Sequence, residues 1–118
     1  MKESIIKDKS KQFALRIIKM YQYLTKVSDN KEYIISKQVL RSGTSIGANI
    51  AESKNAQSNL DYISKLNIAL KEADETEYWL TLLYRSETID KSEFESIESD
   101  LKIIIGTLVN IIKKLKEK

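Results

Sequence analysis

Cysteine and histidine are both missing from these 118 residues, proline is absent, and glycine occurs three times. Without cysteine there is no disulfide, no thiolate nucleophile and no Cys-ligated metal. Without histidine the commonest general base and the commonest zinc or iron ligand are gone as well. A β-sandwich needs many turns, and so many turn residues; their scarcity here favours long helices with short connections. No apolar run nears the roughly 18 residues of a membrane-spanning helix, and the amino-terminal stretch MKESIIKDKSK has no signal-peptide core. A cytoplasmic protein is therefore expected. With 42% hydrophobic and 31% charged residues, the chain reads as one globular domain over residues 1–118.

The net charge is only +3, but it is unevenly spread. From Met1 to Arg41 ten Lys/Arg face four Asp/Glu, from Ser42 to Asp100 five face twelve, and from Leu101 to Lys118 five face one. The two ends are basic and the middle is acidic.

Apolar residues recur at helical spacing in four stretches. Phe13, Ile17, Met20 and Leu24 place the first helix from about Ser4 or Lys9 to about Lys26, with Ser28, Asp29 and Asn30 as its turn. Ile35, Val39, Ile46 and Ile50 place the second from about Lys31 to Lys54. Asn55 to Asn59 is polar and aperiodic, so Ser58 or Asn59 is expected to cap a third helix running from about Leu60 to Arg85. Asp90 with Glu93 has the spacing of a capping box and starts the fourth at about Lys91. Ile68, Trp79 and Leu82 on helix three, and Ile103 and Val109 on helix four, lie off the core stripes and call for a second burial surface. The expected fold is all-α, an up-down-up-down four-helix bundle. Such a bundle gathers Lys2, Lys7, Lys9 and Lys11 with Lys113, Lys114, Lys116 and Lys118 at one end.

Helix two holds an unusual segment, RSGTSIGANIAESK. Two interior glycines each cost about 1 kcal/mol against alanine. Gly43, Gly47 and Ala51 share a stripe that would let another helix backbone approach, beside a polar stripe of Arg41, Ser45 and Asn49. Arg41 is expected to pair with Glu72 or Glu75, while Ser45 and Asn49 serve groups across a close helix contact.

These residues, with the later IALKEADETEYWL, carry a likeness. Arg41, Ser45, Ile46, Asn49, Ile50, Ala51 and Glu52 resemble the signature run of the four-helix bundle proteins encoded in intervening sequences of bacterial 23S ribosomal RNA. The accessory protein of diversity-generating retroelements is a more distant relative. Ser53 stands where the family often has glycine, which implies a later helix end. The resemblance implies a left-handed antiparallel bundle that assembles into a homopentamer. In the retroelement relative the basic assembly is associated with nucleic acid and a reverse transcriptase.

Catalysis finds little support. Glu72 and Glu75, with Glu95 and Glu98, are two ExxE pairs reminiscent of Mg²⁺-dependent nucleotide pyrophosphatases, and such a site requires the four acids to converge. Acids at the start of helix four also suit the helix dipole with no further role. No enzyme, cofactor or metal is expected. The favoured reading is an oligomeric bundle whose lysine-rich end binds RNA, DNA or a nucleoprotein partner such as a reverse transcriptase. A protein-interaction scaffold is the alternative. Trp79 is expected at an oligomer contact.

Overall fold

The computed structural model describes residues 2–29 and 31–117, with side chains from Ser4 onward. Four helices follow one another: α1 (Lys2–Gln22), extended by a π-helical turn (Tyr23–Val27), α2 (Ile34–Ser53), α3 (Asn59–Arg85) and α4 (Lys91–Lys116). Each packs against its neighbours in sequence, and α4 closes back onto α1, giving a body of 51 × 22 × 20 Å. Among the described residues there is no strand, and no helix is long and apolar enough to cross a membrane.

The core is built from the expected stripes. Phe13 and Ile17 of α1 and Leu24 of the π-helical turn meet Val39, Ile46 and Ile50 of α2, Leu66 and Leu80 of α3, and Leu101, Ile104 and Leu108 of α4, all buried. Between Val39 and Ile46 the heptad positions are filled by Ser42 and Gly43, both buried, so α2 meets its neighbours with little side-chain bulk. The space at Gly43 belongs to Ile17, since a Cβ there would lie 3.1 Å from the Ile17 Cγ1. At Gly47 it would lie 3.4 Å from the backbone oxygen of Ser10. The glycine stripe is thus the seat of α1, and its helix-propensity cost is offset by that close approach.

Local chemistry sets the helix ends. The Ser58 hydroxyl accepts from the Asp61 N–H at 3.0 Å, and the Asp90 carboxylate accepts from the Glu93 N–H at 2.8 Å. Both are cap bonds to orphan amide donors of the first turn. The start of α2 is later than its periodicity suggests. Lys31 takes a left-handed φ of 44°, which breaks helical geometry and leaves Glu32 to do the capping. Its carboxylate accepts from the N–H groups of Ile35 (2.9 Å) and Ser36 (2.7 Å) and from the Ser36 hydroxyl (2.7 Å). Partial burial opposes its charge, but the bonds from the Ser36 hydroxyl and from the Ile35, Ser36 and Ile34 amides outweigh that and hold its pKa below the ordinary glutamate range. At the far end of α2 the helix stops at Ser53, whose hydroxyl donates to the Ile50 carbonyl at 2.6 Å.

Candidate functional site

Arg16 fixes how α1 lies on α4. Its guanidinium donates to Asp100 at 2.8 Å and to the Ser96 hydroxyl at 2.8 Å, with Glu93 at 3.6 Å. A turn or two earlier on α1, Lys9 and Phe13 border a small hollow with Asp100, Ile103 and Ile104. The helices therefore run antiparallel, which sets the first turns of α1 beside the last turns of α4. Lys7, Lys9, Lys11, Lys113, Lys114 and Lys116 are all exposed, and none makes an ion pair among the described residues. Lys118 and the Lys2 side chain lie outside the described residues.

Antiparallel packing of α1 on α2 adds a residue that the sequence pattern did not single out. Lys54, just beyond α2, joins Lys7 and Lys11 around an open hollow of about 400 Å³. Its floor holds Ser10, Ala14, Gly47 and Ala51, and no carboxylate lines it among the described residues. Lys7 and Lys11 are like charges at i and i+4, a spacing that costs a few tenths of a kcal/mol in an isolated helix. An anion in the hollow would relieve that repulsion. The signal for Lys54 was its place at the end of a helix that must return beside the lysine-bearing start of α1.

The polar stripe of α2 is a different environment. Arg41 pairs with Glu72 at 3.4 Å and with Glu75, and its Nε donates to Gln38 at 3.3 Å. Glu75 also accepts from the Trp79 indole N–H at 3.1 Å, so one carboxylate joins α2 to the aromatic of α3. Ser45 and Asn49 do not reach across the helix contact as expected. Ser45 donates to the Arg41 carbonyl at 2.7 Å and Asn49 to the Ser45 carbonyl at 2.8 Å. Both sit at the half-exposed edge of α2, where the carbonyl four residues back is the nearest acceptor. The bond that does cross is buried. The Thr76 hydroxyl of α3 lies 2.9 Å from the Ser42 hydroxyl and 2.7 Å from the Glu72 carbonyl, sharing its proton between them, and Ser42 donates to the Gln38 carbonyl at 3.0 Å. This pair was legible only as two polar residues at core register. Glu52 is exposed and accepts from Lys65 of α3 at 3.4 Å.

Trp79 is half-buried against the core and meets the exposed Tyr78 edge to face at 5.0 Å. The four glutamates of the ExxE pairs are not brought together as a cation site, and three of them have separate partners. Arg41 takes Glu72 and Glu75, Lys102 lies 3.7 Å from Glu98, and Glu95 is exposed. No group of three or more acids placed to hold a metal occurs among the described residues.

Among the described residues every buried side-chain polar atom has a hydrogen-bond partner, and the four packed helices define the class: a four-helix bundle. More particularly, the chain belongs to the 23S rRNA-intervening sequence protein family, whose model matches residues 2–110. It is also similar to a crystal structure from Bacteroides thetaiotaomicron, described as a protein with unknown function from the S23 ribosomal protein family. The two share 57% identity over 96% of this chain and 99% of that one, with a TM-score of 0.91. No curated protein matches.

Proposed function

We propose that this protein is a non-catalytic, oligomeric bundle that binds nucleic acid, or a nucleoprotein partner, through its lysine-rich end. The observation that carries this reading is the hollow between α1 and α2, where Lys7, Lys11 and Lys54 converge with no acid among the described lining residues. A phosphate backbone suits it better than a base edge. Lysine is a flexible point charge that contacts phosphates without reading sequence, and each such contact releases condensed counterions. The proposed partner is accordingly RNA or DNA bound with little sequence preference. The family resemblance adds assembly as a homopentamer, with Trp79 at a contact between copies, so that the lysines of each copy would be repeated around a ring. Fluorescence anisotropy of a labelled oligonucleotide at low salt tests the reading. Binding that weakens steeply as salt rises supports it; no binding at low salt, with the protein folded, removes it.

A protein-interaction scaffold remains the second reading, favoured by the exposed apolar side chains of α4. The seam residues Arg41, Ser45, Asn49 and Glu52 are read as architectural, because each spends its polar groups inside the chain.

A further inference from the structure

Away from the lysine hollow, at the other end of the bundle, the last turns of α1 and the loop between α3 and α4 border an open cavity of about 870 Å³. Small-molecule sites typically measure roughly 300–1,000 Å³. Met20, Leu24 and Ile89 line it, each no more than 7% exposed, so its apolar floor is held by the core. Tyr84 lines it too, and its ring stacks on Phe94 at 4.6 Å with an interplanar angle of 8°. Phe94 is not among the lining residues, so the stack holds Tyr84 from behind. Tyr23 adds a second ring from the α1 wall, 56% exposed.

Both walls depart from regular backbone. Tyr23 opens the π-helical turn that ends α1, an irregularity that recurs at functional positions. On the loop wall Glu87 has a left-handed φ of 65°. Its N–H donates to the Tyr84 carbonyl at 3.0 Å, and the Thr88 N–H donates to the Leu83 carbonyl at 2.9 Å. This is the bonding of a Schellman motif, whose left-handed residue is usually glycine. Glutamate bears a steric cost there that glycine would avoid, and its carboxylate borders the cavity with no ion pair among the described residues. The other charges of the lining divide in two. Arg16 and Glu93 lie 3.6 Å apart as a pair, and Asp90 accepts the Glu93 N–H as the cap of α4. Lys19 of α1 and Lys91 of α4 are exposed and make no ion pair among the described residues. Two free ammonium groups, one free carboxylate and two tyrosines thus border a single apolar floor.

We infer that this cavity binds a nucleoside 5′-monophosphate. Each part of such a ligand has a matching group: the base stacks on a tyrosine ring, the phosphate takes Lys19 and Lys91, and the ribose hydroxyls donate to Glu87. A bare phosphate would forgo the tyrosines and meet Glu87 as a like charge. An uncharged nucleoside would leave both lysines without a partner. The same unit occurs free and at the phosphorylated end of a strand, and competition separates the two sources. The inference goes beyond the nucleic-acid reading and does not rest on it, because this cavity and the lysine hollow lie toward opposite ends of α1 and share no residue.

Equilibrium dialysis of the whole chain against AMP, GMP, CMP and UMP tests it. At least one is expected to bind with a Kd below about 1 mM, with the matching nucleoside and inorganic phosphate each roughly tenfold weaker or worse. Lys19→Glu combined with Lys91→Glu is expected to weaken nucleotide binding by roughly tenfold or more, and Tyr23→Ala by about fivefold, with the circular dichroism unchanged. Glu87→Gly separates ligand from fold. Glycine suits the left-handed position, so the urea midpoint should rise while nucleotide binding falls by roughly threefold or more. Displacement of the bound nucleotide by a 5′-phosphorylated oligonucleotide, and not by its unphosphorylated form, supports the site with a strand end as the source; displacement by neither supports the free nucleotide. The inference is overturned if no monophosphate binds, if the nucleoside or phosphate alone binds as tightly, or if the double glutamate variant binds unchanged. Lys7→Glu, Lys11→Glu, Lys54→Glu should leave the nucleotide bound, so the failure of either proposal is read separately from the other.

Discussion

The seam of α2 and the lysine-rich end lie on the same bundle, yet one closes on itself and the other does not. In the seam every unusual feature finds its answer inside the chain. Gly43 and Gly47 make room for Ile17 and Ser10, Ser42 bonds with Thr76, and Arg41 pairs with Glu72 and Glu75. At the basic end Lys7, Lys11 and Lys54 border a hollow with no counter-charge among the described residues. An odd pattern in a sequence can therefore mark either architecture or function, and what separates them is whether a partner is already present. Gly106 of α4 stands apart from both, since among the described residues a Cβ added there would meet nothing within 4 Å.

That contrast predicts that seam substitutions change stability and leave binding alone. Gly43→Leu should have the largest effect, a loss of about 2 to 3 kcal/mol in urea denaturation, because Ile17 is fully buried and has nowhere to move. Next comes Glu32→Gln, at about 1 kcal/mol near neutral pH, the usual scale for a lost cap. Its pH dependence has a fixed sign. The folded pKa of Glu32 is lowered, so its contribution is fully present above the unfolded value of about 4.3 and is lost as pH falls through the lower folded value. Wild type and variant should therefore converge in stability in acid, and a gap that persisted there would assign the loss to packing. The smallest effect should come from Gly106→Ala, with the opposite sign. It should raise stability by about 0.5 to 1 kcal/mol, measured by the same denaturation.

Much of the fold was legible because it depends on local signals. Helical spacing placed the four helices, and Ser58 and Asp90 announced two starts through cap chemistry that needs no distant partner. Elsewhere the determining fact was conformational or long-range. Nothing in the identity of Lys31 signals a left-handed backbone, so the start of α2 and the capping role of Glu32 emerge only in three dimensions. The π-helical end of α1, where the Ser28 N–H donates to the Tyr23 carbonyl at 2.8 Å, is equally silent in the sequence. Ser45 and Asn49 were assigned to a helix contact because they share a stripe with Arg41, but a stripe at the edge of a contact serves its own helix first. For the site, the pattern could gather Lys7 and Lys11 with the lysines of α4. It could not show that Lys54 turns toward the same hollow, because that depends on how α1 crosses α2.

The salt dependence of oligonucleotide binding, compared between the wild type and a Lys7→Glu, Lys11→Glu, Lys54→Glu variant, tests the central claim most directly. If these three lysines contact phosphates of a single strand, the variant should lose binding at low salt, and neutral Lys→Gln counterparts should lower the log–log slope by about 2. Stability in urea should stay within about 0.5 kcal/mol, as for exposed side chains without partners. An unchanged affinity and slope in the variant would contradict the claim that this end is where the protein meets its partner.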